Sequence, residues 1–262
     1  MPTVISIASG KGGAGKSSLA VNLSLRLQES YGRTILVDSD LLMANDHILL
    51  NIHPNNDIID VLEGHTAWRD AVHNLTNGLA LLPGRVAANV LLGSKAGKVK
   101  SLIETLTHDG QEFDYIVVDT PSGSGIEVLD VLSVSDHAVI VVLGQATSFV
   151  DAYALIKNSY LERQLTRFST VVNMANSADQ AEVIFEKFRR VVVQFLPVEL
   201  IYNGFLPHMA DINAASIKGN AVHDVVAKAR IAAKIDVILK SLLASPSGIC
   251  TAPEPSFDMY RL

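Results

Sequence analysis

Residues 10–17 read Gly-Lys-Gly-Gly-Ala-Gly-Lys-Ser and satisfy G-x-x-x-x-G-K-[ST], with Gly10, Gly15, Lys16 and Ser17 in the fixed places. An apolar run, Thr3–Ala8, precedes the stretch and a helix-length segment, Lys16–Ser30, follows it. That strand-loop-helix context is what this loop requires. The glycines let the backbone curl so that successive N–H groups point inward, and the next helix adds the positive end of its dipole. Gly10, Lys11, Gly12, Gly13, Ala14, Gly15, Lys16, Ser17 and Ser18 are therefore the candidate phosphate cradle. Lys16 is placed for β- and γ-phosphate oxygens, and Ser17 for a Mg²⁺ ion. A glycine-rich turn that binds nothing is the alternative. A chance match in a chain of this length is on the order of 1%, which disfavours it.

The rest of the chain repeats the alternation seen around the loop. Short apolar runs occur at Thr3–Ala8, Thr34–Asp38, Leu79–Leu82, Tyr115–Asp119, Ala138–Leu143, Ser169–Asn173 and Glu199–Ile201. Helix-length segments lie between and after them, at Lys16–Ser30, Gly97–Thr107, Gly125–Val134, Ser148–Leu161, Asp179–Phe195 and Ala221–Leu243. Most strand candidates are continuously apolar, as strands covered on both faces are. The expected fold is α/β, a P-loop NTPase fold with a mostly parallel, doubly wound sheet flanked by helices in a single domain. Its expected span is residues 1–244. Residues 245–262 contain Pro246, Pro253 and Pro255 and read as a loosely ordered tail. In such sheets ligands bind beyond the carboxyl ends of the strands.

Acidic residues stand at two of those ends. Asp38 and Asp40 close the run from Thr34, and Asp119 closes the run from Tyr115. A phosphate site needs a metal and a positioned water. One such aspartate alone is as readily an N-cap for the next helix. Three at the expected ends favour a site.

Lys11 adds a second lysine within the loop, giving K-G-G-x-G-K-[ST]. In this the sequence resembles the MinD/ParA family of deviant Walker A ATPases. The resemblance implies a Mg-dependent ATPase that cycles between ATP and ADP and forms a homodimer with ATP. It implies that Lys11 reaches the partner's phosphates, acting with Lys16 and Asp40 in catalysis, and that Asp40 orients the attacking water. It implies Mg²⁺ near Ser17, Asp38 and Asp119, the aspartates acting through water. Asn173 falls where relatives read adenine, and Pro207 where they contact it with backbone. The GTP-selective N/T-K-x-D tetrad is not visible, so ATP is the expected nucleotide.

Within the family the closest resemblance is to the FlhG/FleN branch. Asp40–Leu50 matches D-x-x-x-A-N-x-x-x-L-L, and Ala146–Lys157 is close to P-T-S-x-x-D-A-Y-A-L-I-K. The implied role is regulation of flagellar number or placement, with a flagellar SRP-type GTPase or a flagellar regulator as partner. The D-Q-A-x-x-L-R segment through which branch members engage that GTPase does not precede Thr3, which leaves this engagement open. The broader alternative is a positioning or partitioning ATPase acting on the division site, DNA or another cargo.

Val222, Val226, Ala229, Ala233 and Leu239/Leu243 recur near helical spacing, with Lys228, Arg230, Lys234 and Lys240 interspersed. Packing on the sheet accounts for such a stripe. Family resemblance adds reversible peripheral membrane contact through this helix as the alternative. A net charge of −6 argues against a dedicated nucleic-acid binder, and no specific nucleic acid is expected. No run of 18 apolar residues occurs, so the expected location is cytoplasmic, at most peripheral on the membrane's inner face. The eight histidines form no ligand spacing, so no metal site made by protein side chains alone is expected. Cys250, the single cysteine, is assigned no catalytic role.

Overall fold

The computed structural model describes residues 1–41, 43–85, 97–109, 112–207 and 225–245. Eight strands form one sheet: β1 (Thr3–Ser9), β2 (Thr34–Asp38), β3 (His73–Asn74), β4 (Ala80–Leu82), β5 (Tyr115–Ser122), β6 (His137–Val142), β7 (Arg167–Ala175) and β8 (Glu199–Pro207). Their order across the sheet is β3-β4-β2-β5-β1-β6-β7-β8. Every pairing is parallel except the short edge ladder of β3 on β4.

The helices are α1 (Lys16–Ser30), α2 (Asp46–Leu49), α3 (Ile58–Leu62), α4 (Trp68–Ala71), α5 (Lys98–Asp109), α6 (Ile126–Ser133), α7 (Ala146–Arg163), α8 (Ala178–Phe195) and α9 (Val225–Ala244). The single α/β domain expected from the sequence is what the chain forms. The long elements fall where apolar runs and helical periods place them. The one-turn helices α2 to α4 and strand β3 carry too few residues for a period to show. α3 is nevertheless signalled locally: Asp57 and Asp60 cap it reciprocally, each side chain accepting from the other's end of the turn.

Alternation along the central strands sends side chains to opposite faces. Ile5, Ile7, Leu36 and Val117 pack with Leu19, Leu23 and Leu27 of α1 and with Ile235, Ile238 and Leu239 of α9. Val4, Ile35, Val37, Ile116 and Val118 face α3 to α5 on the other side. The same side continues over α6, α7 and α8, centred on Phe168 and Phe188. Both faces are thus sealed. Only the strand ends are left open to a ligand.

The C-terminal helix packs on the sheet, but on a different seam from the stripe read in the sequence. Its buried positions are Ile231, Ile235, Ile238, Leu239 and Leu242, whereas Ala233 is exposed and Leu243 is half-buried. Side chains before residue 231, and so Val222, Val226 and Ala229, lie outside the described residues. The larger isoleucines, which bury more area than alanine, select the face. Polar contacts fix the helix at its flanks. Arg26 of α1 donates to both carboxylate oxygens of Asp236 at 2.6 and 3.0 Å, and the Lys234 ammonium lies 4.1 Å from the Phe205 ring centre.

No helix among the described residues is long and apolar enough to cross a membrane. The proposed tail, 246–262, lies outside the described residues, as do residues 86–96 and 208–224. Leu239→Ala should lower unfolding free energy by about 2–5 kcal/mol in urea titration, while Val237→Ala on the exposed side should stay within about 0.5 kcal/mol.

Candidate functional site

The phosphate loop leaves β1 at Ser9 and enters α1 at Lys16. Gly15 sits at φ +89° as the residue before the helix, and Gly13 at φ +75°, conformations that favour glycine. Gly10 is needed for another reason. A Cβ there would run into the backbone of Asp151 and Ala152, so the loop's start is pressed against α7. Ser9 Oγ closes the turn by donating to the Lys11 carbonyl at 2.8 Å.

The loop opens on a cleft of about 540 Å³ at the carboxyl ends of the strands. Residues 12–18, Asp40, Asn173 and Pro207 all line it, so the sequence candidates from four separate segments converge on one space. Gly10 is not part of this lining. Met174, Leu206, Pro207 and Ile231 give the end near β7 and β8 an apolar wall. Leu206 and Ile231 were not singled out in the sequence. Ile231 comes from α9, and only the fold brings it here.

Lys11 points elsewhere. Its Nζ donates to Gln145 Oε1 at 3.0 Å and to Thr147 Oγ1 at 3.3 Å, at the start of α7. Lys16 by contrast is nearly buried, with Nζ 3.9 Å from Asp119 Oδ1. Ser17 Oγ donates to Asp119 Oδ2 at 2.6 Å. Asp119 is thus the floor beneath the two loop residues assigned to phosphate and Mg²⁺. The loop after β5 is tied to the same place, since Gly123 N–H donates to the Ser9 carbonyl at 2.9 Å.

Asp38 and Asp119 are register partners on adjacent parallel strands, so their side chains leave the sheet on the same side. Asp38 does not reach the cleft. Its carboxylate accepts backbone N–H groups from Asp40 (3.2 Å), Asn45 (3.1 Å) and Asp46 (3.2 Å), folding the segment after β2 back over the strand end. β2 stops at Asp38, so Asp40 sits in that turn, where it lines the cleft and accepts from Met43 N–H at 3.0 Å. In the sequence the two aspartates close the same apolar run. The turn instead gives them different posts, one structural and buried, one facing the ligand space.

The same turn delivers a residue inside the Asp40–Leu50 stretch to which the sequence gives no role. Asp46 is fully buried beside Asp38 and Asp119, and one oxygen from each of the three carboxylates lies within 4.8 Å of the others. Burial, the largest cause in each case, pushes all three carboxyls above their ordinary range. The charge of Asp119 adds to the push on Asp38 and Asp46, whereas Lys16 and Ser17 pull Asp119 back. Family resemblance places Mg²⁺ near Asp38 and Asp119 in the sequence, and the fold adds Asp46 to them. Hard oxygen donors at the loop's floor, with Asp119 Oδ1 lacking a hydrogen-bond partner, fit a Mg²⁺ ion.

Asn173 braces the loop. Its Nδ2 donates to the Ala14 carbonyl at 2.8 Å, and its Oδ1 accepts from Met174 N–H at 2.8 Å. One N–H and one lone pair of the amide are left for any base.

Comparison with known proteins agrees with this geometry. The profile of the ParA family, described as NUBPL iron-transfer P-loop NTPase, matches residues 1–242. The chain belongs to the ParA/MinD family of P-loop ATPases. Among relatives of this ATPase, antiactivator FleN of Pseudomonas aeruginosa is 32% identical over 87% of the chain and 81% of the relative. Flagellum site-determining protein YlxH of Helicobacter pylori is 29% identical over 76% and 68%. The same fold is seen in septum site-determining protein MinD of Pyrococcus horikoshii, a complex with Mg-ADP, with a TM-score of 0.73 at 21% identity over 91% and 94% of the two chains. It is also seen in the MinC:MinD complex of Aquifex aeolicus, with a TM-score of 0.71 at 24% identity over 94% and 98%.

Asn173→Ala should destabilise the fold by about 1–3 kcal/mol, because it orphans a buried carbonyl of the loop. Fluorescent-nucleotide titration should show weaker binding of both ADP and GDP, with the larger loss for ADP, because the brace serves both and the spare amide positions meet adenine alone. Equal weakening would leave the amide as a loop brace only.

Proposed function

We propose that this chain is a switch ATPase of the FlhG/FleN type, which dimerises around ATP and regulates flagellar number or placement. The observation that carries the reading is the convergence of residues 12–18 and Asp40 on one cleft, with Asp119 held beneath Ser17 and Lys16. The flagellar assignment draws on the likeness to FleN and YlxH and on the Ala146–Lys157 segment.

In this reading the loop N–H groups and Lys16 bind the β- and γ-phosphates. Ser17, Asp38 and Asp119 would hold Mg²⁺, the aspartates through water; when bound, the ion supplies positive charge beside the transferred phosphate. Lys16 and Ser17 exchange their contacts with Asp119 for the nucleotide. Asp40, already at the rim of the cleft, orients the attacking water. Lys11 leaves two neutral oxygens, on Gln145 and Thr147, for the phosphates of the second protomer, where a charged acceptor makes a stronger bond. The apolar wall at Met174, Leu206, Pro207 and Ile231 takes the flat base, with backbone near Pro207 and the spare positions of Asn173 at its edge.

A flagellar SRP-type GTPase or a flagellar regulator is the proposed partner. Membrane contact, if made, is peripheral and has to use surface left after α9 packs on the sheet. The iron-transfer wording of the family description is not carried over: cluster carriers need several thiolates, and the sequence has one cysteine.

Sedimentation velocity tests the switch. With ATP and Mg²⁺, Asp40→Ala should accumulate as a dimer because hydrolysis is blocked, and Lys16→Ala should stay monomeric. If the two variants sediment alike with ATP, the mechanism is wrong. ATP-dependent retention on nonspecific DNA that falls steeply with salt would favour the partitioning reading instead.

A further inference from the structure

Asp46 has no part in the reading above, and its surroundings are unusual. It is fully buried, and among the described residues neither carboxylate oxygen has a hydrogen-bond partner. Asp119 Oδ1 is likewise without one. A buried carboxylate left unpaired is strongly disfavoured, so native proteins pair such groups, protonate them or give them to a metal. The charge count at this point is also unbalanced. Full ionisation of Asp38, Asp46 and Asp119 would bring three negative charges against one paired cation, Lys16, 3.9 Å from Asp119. A bound cation would balance the remaining two.

The spacing falls within the span of a single Ca²⁺-sized ion, and a smaller ion would draw the oxygens closer. Oxygens sharing one octahedral ion lie up to about 4.2 Å apart for Mg²⁺ and about 5 Å apart for Ca²⁺, twice the metal–oxygen distance. The three carboxylates present oxygens within 4.8 Å of one another. They are also held from three directions. Register pairing aligns Asp38 with Asp119, and the N–H groups of Asn45 and Asp46 grip Asp38 so that the Asp46 side chain is drawn against both. Ser17 borders this space through its bond to Asp119, and Ser17 lines the cleft, which gives an ion a way in.

We propose that Asp38, Asp46 and Asp119 bind a divalent cation directly, in the absence of nucleotide. This goes beyond the nucleotide-dependent Mg²⁺ of the proposed function, because no phosphate is needed to complete the charge balance. It also gives Asp46 a role that a purely structural residue would not have, since a buried apolar side chain would fill the same space without repulsion.

The test uses the full chain stripped of metal and nucleotide, with Mn²⁺ followed by electron paramagnetic resonance. The wild type should bind about one Mn²⁺ per chain with a Kd below about 1 mM, within the range of carboxylate sites. Asp46→Asn and Asp46→Ala, each checked for native circular dichroism, should weaken this binding at least about tenfold. Lys16→Ala should bind Mn²⁺ as well as the wild type or better, since it removes a competing cation. A parallel arm adds ADP, and all chains with an intact loop should then bind Mn²⁺ with the nucleotide. If the nucleotide-free wild type binds no Mn²⁺, or if whichever Asp46 variant folds binds it equally well, the inference is overturned. The ADP arm separates that failure from failure of the nucleotide site, which would leave Mn²⁺ unbound there too.

Discussion

The 2.6 Å hydrogen bond from Ser17 to Asp119 joins the phosphate loop to the middle of the sheet, and the site depends on it. β5 lies between β2 and β1, so the end of β5 is where the two halves of the sheet meet. Asp119 there touches α1 through Ser17 and Lys16 and β2 through its register partner Asp38. The main chain joins in as well, since the Asp119 carbonyl accepts from both the N–H and the hydroxyl of Ser39 at 2.9 and 2.7 Å. A change in what Ser17 and Lys16 hold is therefore felt directly by the turn that carries Asp40 and Asp46. Coupling of this kind requires two arrangements of packed groups, and exchanging Asp119 for a phosphate supplies the second.

Much of this was legible in the sequence because the features are local. Strand, loop and helix are contiguous around Gly10–Ser17, and continuous apolar runs identify strands sealed on both faces. What was not legible depends on distance. Nothing in the sequence says that Asn173 spends its amide on Ala14, 159 residues away, or that Ile231 walls the cleft. Asp38 and Asp40 close one apolar run in the sequence, but β2 ends at Asp38, two residues before Asp40, and the turn parts them. Asp46 carries no signal of its own in the sequence, because nothing local marks it as a neighbour of Asp119. Only the fold shows it beneath the sheet's end among like charges.

The C-terminal helix shows how burial decides between two readings of one pattern. A stripe with interspersed lysines fits a membrane surface as well as a sheet. Here Ile231, Ile235, Ile238, Leu239 and Leu242 are used up by the sheet, and Arg26 pairs with Asp236 at the flank. Attachment to a membrane through that face would cost the protein its core on one side. The phosphate loop and the helix are neighbours through Ile231, which lines the same cleft as residues 12–18.

Hydrogen–deuterium exchange compared among the nucleotide-free, ADP and nonhydrolysable ATP forms tests the central claim, that one cleft reads the phosphates and relays them through Asp119 to the switch turn and to Lys11. The account predicts slowed exchange in residues 10–18 and 38–46 with either nucleotide. It predicts further slowing at 145–151 with the ATP analogue alone, as Lys11 leaves Gln145 and Thr147 and a second protomer covers the start of α7. Identical patterns for ADP and the ATP analogue, or protection that avoids residues 10–18, would contradict it.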